Sequence, residues 1–342
     1  MQPIRRAVID VGTNSVKLLV ADVAGHDITP VCEQSKQTRL GHGFYETHRL
    51  QADAIAATAK AIAGFAAEAR EAQAVSVRVI ATSAAREAVN RQELTAAIEQ
   101  ASGLKIEVIS GDQEADWGFQ GVTTDPQLAQ MPLLLLDVGG GSAQFVVGQG
   151  GRTRFRQSFP LGTVRLMEAS PCSDPPKPAE LAACRQWLRE FLQKEVQPKL
   201  LPEIGDGVAK AGQNQGLLTS TATGSGGEVQ LVGVGGTASI LARLEAGLDT
   251  FDRAGIEGTR LSAARVFWHL EQLWSLTLEQ RKNLVGMPKN RADIILMGVA
   301  IYQSVMEVFG FRELRVSTRG LRFAALTQNW PAPSHQSKPA AP

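Results

Sequence analysis

A chain of 342 residues, 44% hydrophobic and 20% charged, has room for two domains with a core each. Its formal net charge of +1 gives no global reason to bind nucleic acid or a membrane surface, so neither partner is expected. Its three cysteines, Cys32, Cys172 and Cys184, form no CxxC pair, and no apolar run reaches the roughly 18 residues of a membrane helix, which argues against a disulfide framework and a transmembrane span.

The first six residues run into a strand without a secretory h-region, and a cytoplasmic location is the expectation. Residues 4–23 predict two strands around the turn 10–15, and residues 28–40 a third. The Ala-rich stretch 51–71 predicts a helix. Residues 75–81 form a β-rich run, and Thr82-Ser83 is a cap signal for a helix through residue 89. A helix over 91–101 and a strand over 105–109 follow. Ser110-Gly111-Asp112 opens a helix over about 113–122, which residues 123–126 end. The run of leucines at 133–136 predicts a buried strand. Beyond it come a Pro-rich turn at 171–178, a helix at about 179–197, and a polar stretch at 202–228 read as a surface insertion. A strand at 231–234, helices at 262–275 and 292–309, a short strand at 314–316 and a last helix at 320–326 complete the pattern. The tail from residue 331 is Pro- and Ala-rich and reads as disordered. Strands mixed with helices indicate an α/β fold.

One pattern occurs twice. Asp10-Val11-Gly12-Thr13-Asn14-Ser15 and Asp137-Val138-Gly139-Gly140-Gly141-Ser142 each follow an apolar run and precede another, at a constant offset of 127 residues. Such a hairpin turn exposes backbone N–H groups that bind phosphate oxygens, beside a carboxylate able to hold Mg²⁺. Three consecutive glycines are entropically costly and suit close approach of a ligand to the backbone. A third turn, Gly235-Gly236-Thr237, sits between a strand and a helix, where free N–H groups attract anions. Two facing loops would clamp a phosphate chain.

With these motifs in order, the chain resembles the exopolyphosphatase/guanosine pentaphosphate phosphatase family, within the actin, hexokinase and Hsp70-like ATPase superfamily. The matching segments are 7–20, 80–90, 106–122, 135–148, 159–166, 232–241 and 291–326. The resemblance implies two ribonuclease H-like (actin-like ATPase) domains with a cleft between them. The expected division is 1–122 with 313–330 in the first domain and 123–312 in the second, with 331–342 as the tail.

The implied reaction is hydrolysis of the terminal phosphoanhydride of inorganic polyphosphate or of guanosine pentaphosphate, with Mg²⁺ as cofactor and a homodimer as the assembly. In the family, the Glu of the Ser-Gly-x-x-Glu-Ala segment is the catalytic carboxylate, which corresponds to Glu114. Asp137 matches the Mg²⁺-associated Asp, and Asp10 is its counterpart in the first loop. Arg86 matches an Arg of the phosphate site. Arg165, Arg291 and Arg319 stand between phosphate contact and domain-holding ion pair. Gln144 and Gln113 occupy positions where the family commonly or often carries Glu, which implies altered metal dependence or a lower rate. The alternative is a catalytically weakened sensor that binds polyphosphate or a guanosine alarmone. Trp117, Trp187, Trp268 and Trp274 fit helix faces packed on a core, and the five histidines lack metal-binding spacing.

Overall fold

The computed structural model describes residues 2–205, 229–328 and 330. The expected tail at 331–342 lies outside them, as does 206–228 of the expected surface insertion. Residues 202–204 instead end a helix, Gln197–Ile204.

Two sheets repeat one topology. The first has the order β3-β2-β1-β4-β5, built from β1 Ile4–Val11, β2 Ser15–Ala24, β3 Asp27–Gln37, β4 Ser76–Ala81 and β5 Ile106–Val108. In the second, β6 Leu133–Val138, β7 Ala143–Gln149, β8 Arg152–Phe159 and β9 Gln230–Val234 take the places of β1 to β4. The short β10 Arg260–Ser262 lies at its edge, antiparallel to β11 Glu313–Val316, which pairs parallel with β9. Each sheet starts with an antiparallel three-stranded meander and continues with parallel strands, as in the expected pair of ribonuclease H-like, actin-like ATPase domains. Residues 313–316, assigned from sequence to the first domain, therefore belong to the second sheet. The cause is packing: Leu314 and Val316 are buried in that sheet's core.

The four leucines of β6 are buried, as a central strand flanked by β7 and β9 requires. Strand β8 was not foreseen. It is an edge strand with Arg152, Arg154 and Arg156 on alternate positions, which hides it from a search for apolar runs. The helix expected at 179–197 breaks into Pro178–Phe191, a π-helical turn Leu192–Val196 and Gln197–Ile204. Pro198 has no N–H to continue an α-helical ladder.

Two helices, Gly111–Val122 and Leu321–Thr327, fill the space between the sheets. Trp117 faces Val8, Leu19 and Ile80 of the first sheet, alongside Phe323 and Leu326. Ala115, Phe119 and Val122 face Leu133, Leu135, Val146 and Val232 of the second. The helix Gly111–Val122 is thus shared by both halves. Its crossing with residue 320 is so close that a Cβ on Gly121 would overlap the Gly320 carbonyl.

Candidate active site

The two hairpins are closed in the same way. Gly12 N donates to Ser15 O at 3.1 Å, and Gly139 N donates to Ser142 O at 2.9 Å. Among the described residues, no acceptor pairs with the amides of Thr13, Asn14, Gly140, Gly141 or Ser142, so these donors are left for a ligand. The loops touch: a Cβ on Gly140 would lie 2.8 Å from Thr13 Cβ. The third loop meets the second. Gly235 has φ +84°, and a Cβ there would lie 2.5 Å from Asp137 Oδ1, so only glycine fits the bend and the approach. The helix Gly235–Ala246 begins at this loop and directs its free N–H groups the same way.

These loops surround a cavity of about 440 Å³ between the sheets. Gly12, Thr13, Asn14, Ser15, Gly139, Gly140, Gly141, Ser142, Gly235, Gly236 and Thr237 all line it, together with Asp10, Asp137 and Glu114. The sequence reading placed these groups in one crevice, and the structure brings them together.

Glu114 sits in the first turn of the helix Gly111–Val122, whose N-cap Ser110 accepts a hydrogen bond from Gln113 N at 3.1 Å. Arg86 Nη1 donates to Glu114 Oε2 at 3.0 Å and to Ile109 O at 3.1 Å. Burial pushes the Glu114 carboxyl up to about 7 against the pull of Arg86, with Asp137 and Asp10 adding repulsion. Burial likewise pushes Asp137 up to about 6 and raises Asp10, with Lys17 opposing both shifts. Lys17 and Arg291 are lowered by burial, Arg291 to about 10, so Arg291 remains protonated at neutral pH. Buried carboxyls with raised pKa values beside Lys17 and Arg291 on one cavity wall form a site with cations for a polyanion and a carboxylate that can take a proton near neutrality.

Arg86 does not line the cavity; it acts on Glu114 from behind. Of the three arginines with open roles, Arg291 lines the cavity. Arg165 holds Glu87 and the Gly141 carbonyl. Arg319 donates to Thr124 O at 3.2 Å and lies outside the cavity wall. Lys17 was missed, although a signal was present: it pairs with Asp10 across the first hairpin as Gln144 pairs with Asp137 across the second. The two positions are 127 residues apart, the offset of the loops themselves. Gln144 lines the cavity and donates through Nε2 to Ser142 Oγ at 2.9 Å and Ser158 Oγ at 3.1 Å. Gln113 is not on the cavity wall.

Trp117 and Trp274 are buried as expected, but Trp187 and Trp268 are 40% and 44% exposed. Trp187 stacks on Phe191 at 5.3 Å, and the Arg265 guanidinium covers Trp268 at 4.3 Å, so each is sheltered by a neighbour on its own helix rather than by the core. Among the described residues, no cluster of three His, Cys, Asp or Glu side chains could hold a metal, and no helix is long and apolar enough to cross a membrane.

Comparison with known proteins adds four findings. The family model described as the Ppx/GppA phosphatase family matches residues 19–330. Exopolyphosphatase 2 of Mycobacterium tuberculosis is 32% identical over 320 residues, covering 91% of each chain. The crystal structure of the Aquifex aeolicus member of the Ppx/GppA family is 28% identical, covers 95% of this chain and 97% of its own, and superposes with a TM-score of 0.72. An exopolyphosphatase from Cytophaga hutchinsonii, 24% identical, shares the fold with a TM-score of 0.80 over 94% of this chain and 96% of its own.

Proposed function

This chain belongs to the Ppx/GppA phosphatase family, and from that membership we propose that it hydrolyses the terminal phosphoanhydride bond of inorganic polyphosphate. The observation that carries the proposal is Glu114: a carboxyl at about 7, held by Arg86, on the wall of a cavity that also displays three anion-binding loops. The name of the Mycobacterium relative supports polyphosphate as the substrate.

In this reading the unpaired amides of residues 13, 14, 140 and 141 cradle the terminal phosphoryl group. Lys17 and Arg291 offset its charge. Glu114 uses Oε2 on Arg86 and keeps Oε1 for a water in line with the terminal phosphorus. The water oxygen bonds to phosphorus as the bridging P–O bond breaks. Glu114 takes the water's proton, the shortened chain leaves with the bond's electron pair, and orthophosphate follows.

The residues also fit Mg²⁺. Asp10 Oδ1 is buried without a hydrogen-bond partner, and Asp137 lies across the same cavity. Mg²⁺ is commonly held by one or two carboxylates together with substrate phosphate oxygens, so these two aspartates would hold it. When bound, it supplies positive charge to the phosphate oxygens.

The test is release of orthophosphate from polyphosphate and from guanosine pentaphosphate, with and without Mg²⁺, by the wild type and by Glu114→Gln. Rapid Mg²⁺-dependent release from polyphosphate, lost by roughly 10²- to 10⁴-fold in Glu114→Gln, is expected. Preferential release from guanosine pentaphosphate would replace polyphosphate as the substrate. Tight binding without turnover by either protein would overturn the hydrolase in favour of a sensor, the reading that neutral Gln144 favours.

A further inference from the structure

Arg165 is not on the wall of the cavity that holds Glu114, yet it makes two hydrogen bonds and a ring contact behind the second loop. It projects from the helix Thr163–Ala169. Its Nε donates to Gly141 O at 2.8 Å, its Nη2 donates to Glu87 Oε2 at 2.7 Å, and its guanidinium carbon lies 4.0 Å from the centroid of the Tyr45 ring. Gly141 belongs to the half of the molecule that carries Arg165, whereas Glu87 and Tyr45 belong to the other. Glu87 in turn accepts a hydrogen bond from Ser83 Oγ at 2.9 Å, and Ser83 is on the cavity wall.

Gly141 is wedged where the halves meet. A Cβ there would overlap Tyr45 Oη and Ser83 Oγ and would approach Thr13 Oγ1 to 3.0 Å. One turn along the Arg165 helix, Glu168 accepts from Gly43 N at 2.6 Å and from Tyr45 N at 3.2 Å, which seats the loop carrying Tyr45 against that helix. Arg165 therefore bonds the peptide of the second loop and the opposite half with one rigid planar group.

We propose that Arg165 is a positioning residue: by fixing the Gly141 carbonyl against Glu87 and Tyr45, it orients the second loop for phosphoryl transfer only when the two halves are docked. A trans peptide points its N–H opposite to its C=O. Holding the Gly141 carbonyl toward Arg165 thus directs the Ser142 N–H the other way, and no backbone or side-chain acceptor pairs with that N–H among the described residues. Lysine cannot substitute, because an ammonium lacks the fixed fork that bonds two acceptors while stacking on a ring.

The inference rests on the hydrolase reading, and the experiment separates the two. Arg165→Lys, Glu87→Gln and the double variant are compared with the wild type for polyphosphate hydrolysis, thermal melting, and amide exchange of the peptide spanning 139–142. The expected result is a fall in kcat of about 10- to 100-fold in each single variant with KM within about threefold, the scale that a displacement near 1 Å produces. The double variant is expected to be no slower than the worse single one, because both residues act through one peptide. Exchange over 139–142 is expected to quicken in every variant while the melting temperature holds. A rise in KM with kcat unchanged would make Arg165 a direct phosphate ligand and overturn the proposal. Unchanged kcat and unchanged exchange in folded protein would overturn it too. If the wild type releases no phosphate, the hydrolase reading fails, and the exchange measurement still decides the role of Arg165.

Discussion

Replacing Arg86 by Met removes the one positive charge among the described residues that bonds Glu114, and keeps most of the side-chain volume. The Glu114 side chain is 11% exposed and that of Arg86 22%, so water screens the pair only slightly. With Arg86 present, the carboxyl titrates at about 7, the balance of burial pushing up and Arg86 pulling down. Removing the pull leaves burial and the repulsion of Asp137 and Asp10. An opposite charge at hydrogen-bond distance is worth roughly one to three pH units to a carboxylate, so the variant should titrate that far above the wild type. A general base works ionised. Wild-type activity should therefore rise as pH increases through about 7, from roughly a tenth of its plateau one unit below that value to roughly nine-tenths one unit above. In Arg86→Met the rise should move to higher pH, and much of the activity missing at pH 7 should return at pH 9. The assay is kcat/KM for phosphate release against pH for both proteins, with Glu114→Gln as the control that has no carboxyl to titrate. An acid limb that stays in place in Arg86→Met would refute the account of the Glu114 environment.

Gly235→Ala forces a methyl group toward Asp137 Oδ1 in a backbone of φ +84°, and should lower stability by about 1–3 kcal/mol in a denaturant melt while also reducing activity. Gly121→Val drives a branched side chain into the Gly320 carbonyl at the crossing between the sheets, and should lower the melting temperature by several degrees. Adding EDTA should abolish phosphate release, and excess Mg²⁺ should restore it. Gln144→Glu restores a carboxylate facing Asp137 across the hairpin, and should lower the Mg²⁺ concentration for half-maximal activity in a metal titration.

The sequence revealed what repetition makes visible. Asp10 and Asp137, with their turns, stood out because two hairpins on one plan demand the same residue types, whereas Glu114 was marked only by the family resemblance of its Ser-Gly-x-x-Glu-Ala segment. Lys17 was missed although it stands at the loops' own 127-residue offset from Gln144, because only strand register, a pairing property, shows that both positions face the aspartates. Strand β8 was hidden for a related reason: its arginines mark an edge, and an edge exists only once the sheet does. Residues 313–316 were assigned to the wrong half because a four-residue strand carries no label for the sheet it joins. Trp187 and Trp268 show the limit of reading burial from helical spacing, since aromatic rings sheltered by Phe191 and Arg265 satisfy the same pattern. The roles of Arg165 and Arg86 came only with coordinates, because each bonds partners distant in sequence.

The tight crossing of Gly121 with Gly320 makes the shared helix an axle, and Glu114 rides on it. Seven residues separate the two positions along the helix, about 10 Å at 1.5 Å per residue, so a tilt of about 5° about the crossing swings the carboxyl by roughly 1 Å. Placing the carboxyl well enough for catalysis therefore depends on the stiffness of one glycine contact, whose Gly320 side is itself on the cavity wall.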